Sequence, residues 1–346
     1  MDEIALLSGL AEHYSPSGQE AGAVNYLVGQ MRAAGFEAGA DGAGNAVGEI
    51  GSGPETVVLL GHIDTVPGNI AVTRDGDRLN GRGTVDAKGP LAAFTAAAAR
   101  VGKAATKRRI VVIGAVGEES AGEGAQFIKA LYRPAFTIIG EPSSWNKVTL
   151  GYKGSVWFEY EVKRVLAHTS ARRESACEAA VAFWNRVTTW AEARNAGQTA
   201  MFAQALPTLR MMGSGSDGFV EWAKLRVGVR LPPGLGVAEA EAAMIELAQG
   251  ADMRCTEGVP AYRGEKNTPL VRAFLAAIRQ AGGEPSFTVK SGTSDMNVVA
   301  PVWGTPIMAY GPGDSNLDHT PEEHILVSEY LKSVEVLEQV LRTLCA

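Results

Sequence analysis

The chain has 346 residues, 46% hydrophobic and 20% charged, the balance of a folded globular protein rather than a disordered one. Its 32 lysines and arginines against 38 aspartates and glutamates give a formal charge of −6, which argues against nucleic acid as the main partner and leaves room only for local basic patches. The length suits two domains better than one.

The opening "MDEIALLSGLAEHYS" is acidic and amphipathic, unlike the basic start and apolar core of a signal peptide. No stretch approaches the roughly 20 apolar residues of a membrane span. Cys177, Cys255 and Cys345 are scattered, odd in number and form no CxxC, so neither a disulfide framework nor a thiolate metal site is expected. The expected compartment is a reducing cytoplasm.

Residues 2–14 read as a helix, and "SPSGQEAGAVNYLVGQMRAAGF" contains a second. Ser17 and Glu20 have the spacing of a capping box, and Gly35 closes the run. Apolar runs then alternate with helical segments: "TVVLLGH" before "KGPLAAFTAAAARV", "RIVVIGAVG" before "GEGAQFIKALY", then "FTIIGEP". Buried strands separated by helices predict an α/β sheet with helices on both faces. After about residue 152 the style changes. "GSVWFEYEVKRV" and "WAKLRVGVRLPPG" alternate as half-buried strands, 173–196 and "VAEAEAAMIELAQG" read as helices, and "ADMRCTE" as a short strand. This outlines an inserted α+β domain at 153–262, within a discontinuous catalytic domain at 1–152 and 263–346. The latter resumes with a helix from Pro269, the strand "PSFTVK" and a last helix from Pro321.

Ionisable residues recur where these strands end. His62 and Asp64 sit in "GHIDTVPG", Asp86 in "GRGTVDAKGP", Glu118 and Glu119 in "GEES", Glu141 in "GEP" and His319 in "SNLDHTPEEH". Singly, each has an ordinary reading: a polar strand end, a helix cap, a solvated turn. Together they place carboxylates and imidazoles on five loops, four of them after apolar strands, where ligands bind in open α/β sheets. These donors suit a zinc-like divalent ion, and two imidazoles with three carboxylates would hold two such ions if one carboxylate bridges. A further carboxylate would be left as a base. His13 and His324 fit helix surfaces and receive no role.

In these motifs, in this order and over nearly its whole length, the chain resembles the M20 metallopeptidases, which include dipeptidases, acetylornithine deacetylase and succinyl-diaminopimelate desuccinylase. The resemblance implies a zinc-peptidase-like catalytic domain and a ferredoxin-like inserted domain serving as lid and dimer interface. It implies that His62, Asp86 and Glu141 bind one zinc, with cobalt as a possible substitute. Asp86, Glu119 and His319 bind the second, Asp86 bridging. Glu118 is then the general base and Asp64 the support of His62. His168, in "RVLAHTSA", matches a histidine that reaches the partner subunit's site in a homodimer. The Asp86–Ala87 peptide is expected to be cis.

Within the family, "GEPSSWNKVTLGYKGS" and the stretch from "SGTSDMNVV" to "LDHTPEEHI" resemble hydrolases that release lysine or ornithine from a small acidic amino-group carrier protein, in lysine and arginine biosynthesis. The bond cut there is an amide on a carrier glutamate side chain. Lys153, Arg230 and the Gly292, Thr293 and Ser294 stretch fall where relatives hold a substrate carboxylate. Two other readings stay open: a deacylase or dipeptidase of small molecules, and a metal-binding scaffold without catalysis.

Overall fold

The computed structural model describes residues 1–256 and 258–345. It separates into two compact units, one made of Met1–Gly151, Gly264–Val289 and the chain from Ser294 onward, the other of Tyr152–Arg263 with Lys290–Thr293.

The first unit is built on a mixed sheet. Strand Glu55–His62 lies between Arg108–Ala115 and Phe136–Gly140 and runs parallel to both, and Ile307–Ala309 continues the parallel run. Ala46–Ile50 and Glu37–Ala40 extend the sheet antiparallel on one side. Residues Val57 to His62 are buried at every position, so both faces of that strand are covered, as its unbroken apolar run requires. Helix Lys88–Val101 is buried along its length except at Ala99 and Arg100. Its small side chains let it lie close on the strands. A Cβ added to Gly140 would sit 2.8 Å from the Phe94 ring, so the strand needs a glycine there. The close packing also fixes where the helix begins, and therefore where Asp86 stands.

The second unit has a four-stranded antiparallel sheet in the order Leu206–Ser216, Val220–Leu231, Gly154–Val165, Asp252–Cys255. Alternate residues of the two central strands, including Phe158, Tyr160, Leu225 and Val227, form a separate core with helices Ala176–Asn195 and Val237–Ala248. Tyr160 stacks on Phe183 with ring centroids 4.3 Å apart. The strand expected in "ADMRCTE" spans Asp252–Cys255, and Glu257 lies outside the described residues.

Several expectations need correction. Ser17 and Glu20 form no capping box: helix Ala21–Ala33 has no side-chain cap, and the Ser17 hydroxyl instead donates to Asp64 Oδ2 at 2.7 Å. The last helix begins at Val327 rather than Pro321, because His324–Leu326 pairs antiparallel with Arg78–Asn80. Strand Leu206–Ser216 carries Pro207, Gly213 and Gly215 and is a strand through its pairing rather than its propensity. Helix Asp295–Trp303 contains Pro301, a residue that reads as a breaker, and is started by a Ser294–Asn297 capping box. The Asp86–Ala87 peptide is cis, as the resemblance implied. Among the described residues no helix is long and apolar enough to cross a membrane.

Candidate metal centre

Sheet register explains how distant residues meet. His62 ends its strand opposite Ala115, and Gly61 pairs with Gly140. The chain leaving Ala115 therefore delivers Glu118 and Glu119 beside His62 from one neighbouring strand, and the chain leaving Gly140 delivers Glu141 from the other. Asp86 comes in two residues ahead of helix Lys88–Val101. It does not cap that helix, since Ala87 holds the cap position without a side-chain bond. His319 enters from a left-handed turn with φ 62°.

Asp86 stands between the two imidazoles. Its Oδ1 is 3.1 Å from His62 Nε2, and its Oδ2 is 3.1 Å from His319 Nε2. Glu119 Oε1 lies 2.8 Å from the same His319 nitrogen. Three overlapping groups have donor atoms within 4.8 Å of one another: His62 with Asp86 and Glu141, Asp86 with Glu119 and His319, and His62 with Glu118 and Glu119. Donors bound tetrahedrally at 2.0–2.1 Å from a zinc ion lie about 3.3 Å from each other, so side chains already 2.8–3.1 Å apart need only small movements to accept one. Nitrogen and carboxylate donors without thiolate fit a hard or borderline divalent ion, and a carboxylate with one oxygen toward each histidine fits a shared position.

Asp64 organises this end of the sheet more broadly than support of one histidine. It is fully buried. Its Oδ1 accepts the N–H of Glu118 at 3.1 Å, and its Oδ2 accepts the N–H of Glu119 at 3.0 Å together with the Ser17 hydroxyl. His62 is held mainly by the Asp64 main chain: Nδ1 donates to the carbonyl oxygen at 3.0 Å, while the nearer carboxylate oxygen is 3.4 Å away. Because a carbonyl only accepts, Nδ1 carries a proton and Nε2 is free, in the neutral ring, to bind a metal.

The electrostatics follow from crowding. Burial pushes Glu118 well above the usual carboxylate range, and the charges of Glu141, Asp295 and Glu119 add to it. Burial opposes ionisation of Asp86 too, but hydrogen bonds from His319 and His62 overcome it and hold Asp86 well below its usual value. Burial pulls His62 down, yet Asp64 and Asp86 raise it well above 6.5. Asp86 and Glu119 raise His319 to about 10. Carboxylates and imidazoles crowded in this way form a cluster whose charge a divalent cation would balance.

The other candidates lie elsewhere. His168 is exposed before a short turn in the second unit, with Nδ1 2.8 Å from the Ser170 hydroxyl. Lys153 is buried there and donates to the Gln204 carbonyl; burial, with Arg230 nearby, lowers it to about 8. Arg230 Nη1 donates to the Thr293 hydroxyl at 3.1 Å. Gly292 has open space around it, and the Ser294 hydroxyl accepts from Met296 N as a helix cap. Sequence reasoning gave Ser17 only a capping role and passed over the charged residues Arg82, Lys88, Asp295 and Glu323, all buried in the first unit. Asp295 is 3% exposed and burial raises it to about 7. The only available signal was a charged residue beside glycine or a turn, which solvated loops share.

The comparisons with known proteins bear on the whole chain. It is 45% identical to the LysW-lysine hydrolase of Deinococcus radiodurans, over 95% of this chain and 93% of that one. It is 37% identical to the putative LysW-lysine/LysW-ornithine hydrolase of Pyrococcus abyssi, over 99% and 94%. The solved M20 metallo-carboxypeptidase Sso-CP2 of Sulfolobus solfataricus superposes with a TM-score of 0.80 at 17% identity, over 99% of both chains, which speaks for the fold alone. With the model of peptidase family M20/M25/M40 matching residues 58–343, strand ends and motifs included, the chain belongs to that family.

Proposed function

We propose that this chain is a two-metal amidohydrolase that releases lysine, and ornithine as a second product, from the amide joining its α-amino group to a glutamate side chain of the carrier protein LysW. The observation that carries the chemistry is Asp86 shared between His62 and His319, with Glu118 beside them. The substrate rests on the 45% identical relative named for it. In this reading His62, Asp86 and Glu141 hold one zinc, Asp86, Glu119 and His319 the other, and cobalt can replace zinc.

An amide resists water at neutral pH. The two cations, when bound, would supply carbonyl polarisation and a water whose pKa is lowered to about 7. Glu118 accepts a proton from the attacking water. Its half-buried, carboxylate-crowded setting raises its proton affinity toward that needed by a base at neutral pH. It later returns the proton to the departing amine nitrogen. Asp64 anchors the N–H groups of Glu118 and Glu119 on its two oxygens and so fixes the backbone from which one side chain serves as base and the other binds metal. His168 donates to the oxyanion from the partner subunit of a homodimer joined through 153–262. Lys153, Arg230 and the Gly292, Thr293 and Ser294 stretch hold the carboxylate of the released amino acid. Cytoplasmic lysine and arginine biosynthesis is the setting.

Mass spectrometry of the products formed from carrier-linked lysine, with zinc, with cobalt and after chelation, tests this. Metal-dependent release of free lysine with the carrier intact supports it. Turnover of free acyl-amino acids with the carrier conjugate untouched would leave the small-molecule deacylase in its place.

A further inference from the structure

Beside the metal centre lies a buried ion pair that the proposed chemistry does not use. Glu323 is 1% exposed and Arg82 7%, and Arg82 Nη1 donates to Glu323 Oε2 at 2.7 Å. Buried pairs are costly to desolvate and often add little to stability, which raises the question of what this one does. The other oxygen, Oε1, accepts the backbone N–H groups of Val85 at 3.0 Å and Asp86 at 3.2 Å. The Glu323 carbonyl accepts the N–H of Gly81 at 3.3 Å, and Arg82 Nε reaches the Gly68 carbonyl at 2.9 Å. Glu323 stands four residues after His319. One side chain therefore fastens the turn carrying Asp86 to the segment carrying His319.

We propose that Glu323, held by Arg82, is a positioning residue that locks the Asp86 turn to the His319 segment and so aims the shared carboxylate at both metal positions. This rests on the two-metal reading above. The physical argument is that charge-assisted bonds to two successive N–H groups fix a peptide's orientation more firmly than neutral acceptors, at roughly twice the strength. The direction of Asp86 follows from that peptide. Arg82 pairs with Oε2 and so turns Glu323 with Oε1 toward the turn. A pair that merely stabilised the fold would have no reason to spend its second oxygen there.

The test is zinc affinity of the metal-free protein, measured by competition with a chromogenic chelator, beside its thermal melting. The double variant Arg82→Met/Glu323→Leu removes the charges and the acceptor together. It should melt within about 5 °C of wild type, because apolar replacement of a buried pair is tolerated, yet bind at least one zinc 10–100-fold more weakly. Arg82→Met/Glu323→Gln keeps an acceptor for both N–H groups and should recover most of that affinity. Glu323→Gln alone, with its amide NH2 against the guanidinium, should bind zinc more weakly than that pair. Wild-type affinity in both the Leu and the Gln double variants would overturn the positioning role. If the Leu variant fails to melt cooperatively, the two Gln variants decide: equal, undiminished affinity in both overturns it. A wild-type protein that binds no zinc at all would instead overturn the two-metal reading, and the positioning role with it.

Discussion

Glu119 Oε1 lies 2.8 Å from His319 Nε2 across 200 residues of chain. Glu119 reaches that point because its N–H is anchored on Asp64, while its neighbour Glu118 hangs from the other oxygen of the same carboxylate. Two adjacent glutamates with nearly identical intrinsic chemistry are thereby given different surroundings, one against His319 and the other half-buried near Glu141 and Asp295.

Their mutants should differ accordingly. Glu118→Gln should lose catalysis by at least about 100-fold while still binding two zinc ions, because the base is not a ligand in the proposed assignment. Glu119→Ala should lose about one zinc per chain. Metal content by plasma emission and single-turnover rates check both. Identical metal content and identical residual rates in the two mutants would refute the division of labour.

Protonation of His319 should be visible in the metal-free protein. Asp86 and Glu119 raise it to about 10, against about 6.5 in the unfolded chain. The folded state therefore keeps a proton that the unfolded state releases between these values. The stability this contributes is fully present below pH 6.5 and disappears as pH rises through about 10. Lys88 acts in the opposite sense. Burial lowers it to about 8 from 10.5, so its cost is relieved as pH rises across that interval. Subtracting the melting curves of His319→Gln isolates the histidine. The gap in Tm between wild type and mutant should be largest near pH 6, amount to a few degrees given the ring's partial exposure, and close by pH 10. Zinc affinity should rise over the same window, as the metal displaces the proton. A gap in Tm that is constant with pH would show that protonation of His319 contributes nothing.

The elements legible in the sequence are those whose burial is written into an unbroken pattern. Strands Glu55–His62 and Arg108–Ala115 carry unbroken apolar runs and helix Lys88–Val101 is alanine-rich, so their type and approximate bounds follow from composition. Polar residues at the ends of such elements stand out for the same reason, which is why His62, Asp86, Glu119 and Glu141 could be singled out, whereas His319, in a turn-like stretch, was joined to them by the family motif. The residues of strand Leu206–Ser216 and the short strand His324–Leu326 were hidden because their identity lies in a partner strand rather than in their own periodicity. Ser17 was misread for a related reason. Its spacing from Glu20 satisfies a local motif, but a buried carboxylate 47 residues away is the stronger acceptor. Arg82 and Glu323 look like surface charges until the fold closes over them.

If the proposed homodimer supplies His168 across subunits, inactive chains should rescue one another. Glu118→Ala and His168→Ala homodimers are each expected to be nearly inactive. A mixed dimer then contains one site with both wild-type residues. Random exchange should restore about a quarter of wild-type activity per site, as half of the dimers are mixed and each has one intact site of two. Size-exclusion chromatography with light scattering establishes the dimer, and dual affinity tags confirm exchange. Confirmed exchange without rescue would remove His168 from the partner's site.

An acidic carrier, as the family resemblance implies, must meet a chain that is itself −6. General attraction cannot do it. Four cations flank His168, but they are not equivalent. Lys163 pairs with Glu161 at 3.2 Å and Arg164 with Glu174 at 3.4 Å, whereas Arg172 and Arg173 are exposed and have no acidic partner within 4.0 Å among the described residues. Surface charges of this kind act mainly on encounter, and salt screens them over a Debye length of about 8 Å at physiological ionic strength. Arg172→Glu/Arg173→Glu should therefore raise KM for carrier-linked lysine several-fold at low salt and flatten its salt dependence. It should leave kcat, and the hydrolysis of a small acyl-lysine, within about twofold of wild type. The same loss on both substrates would mean that the substitutions had damaged the site or its domain, and that the two arginines do not recruit the carrier.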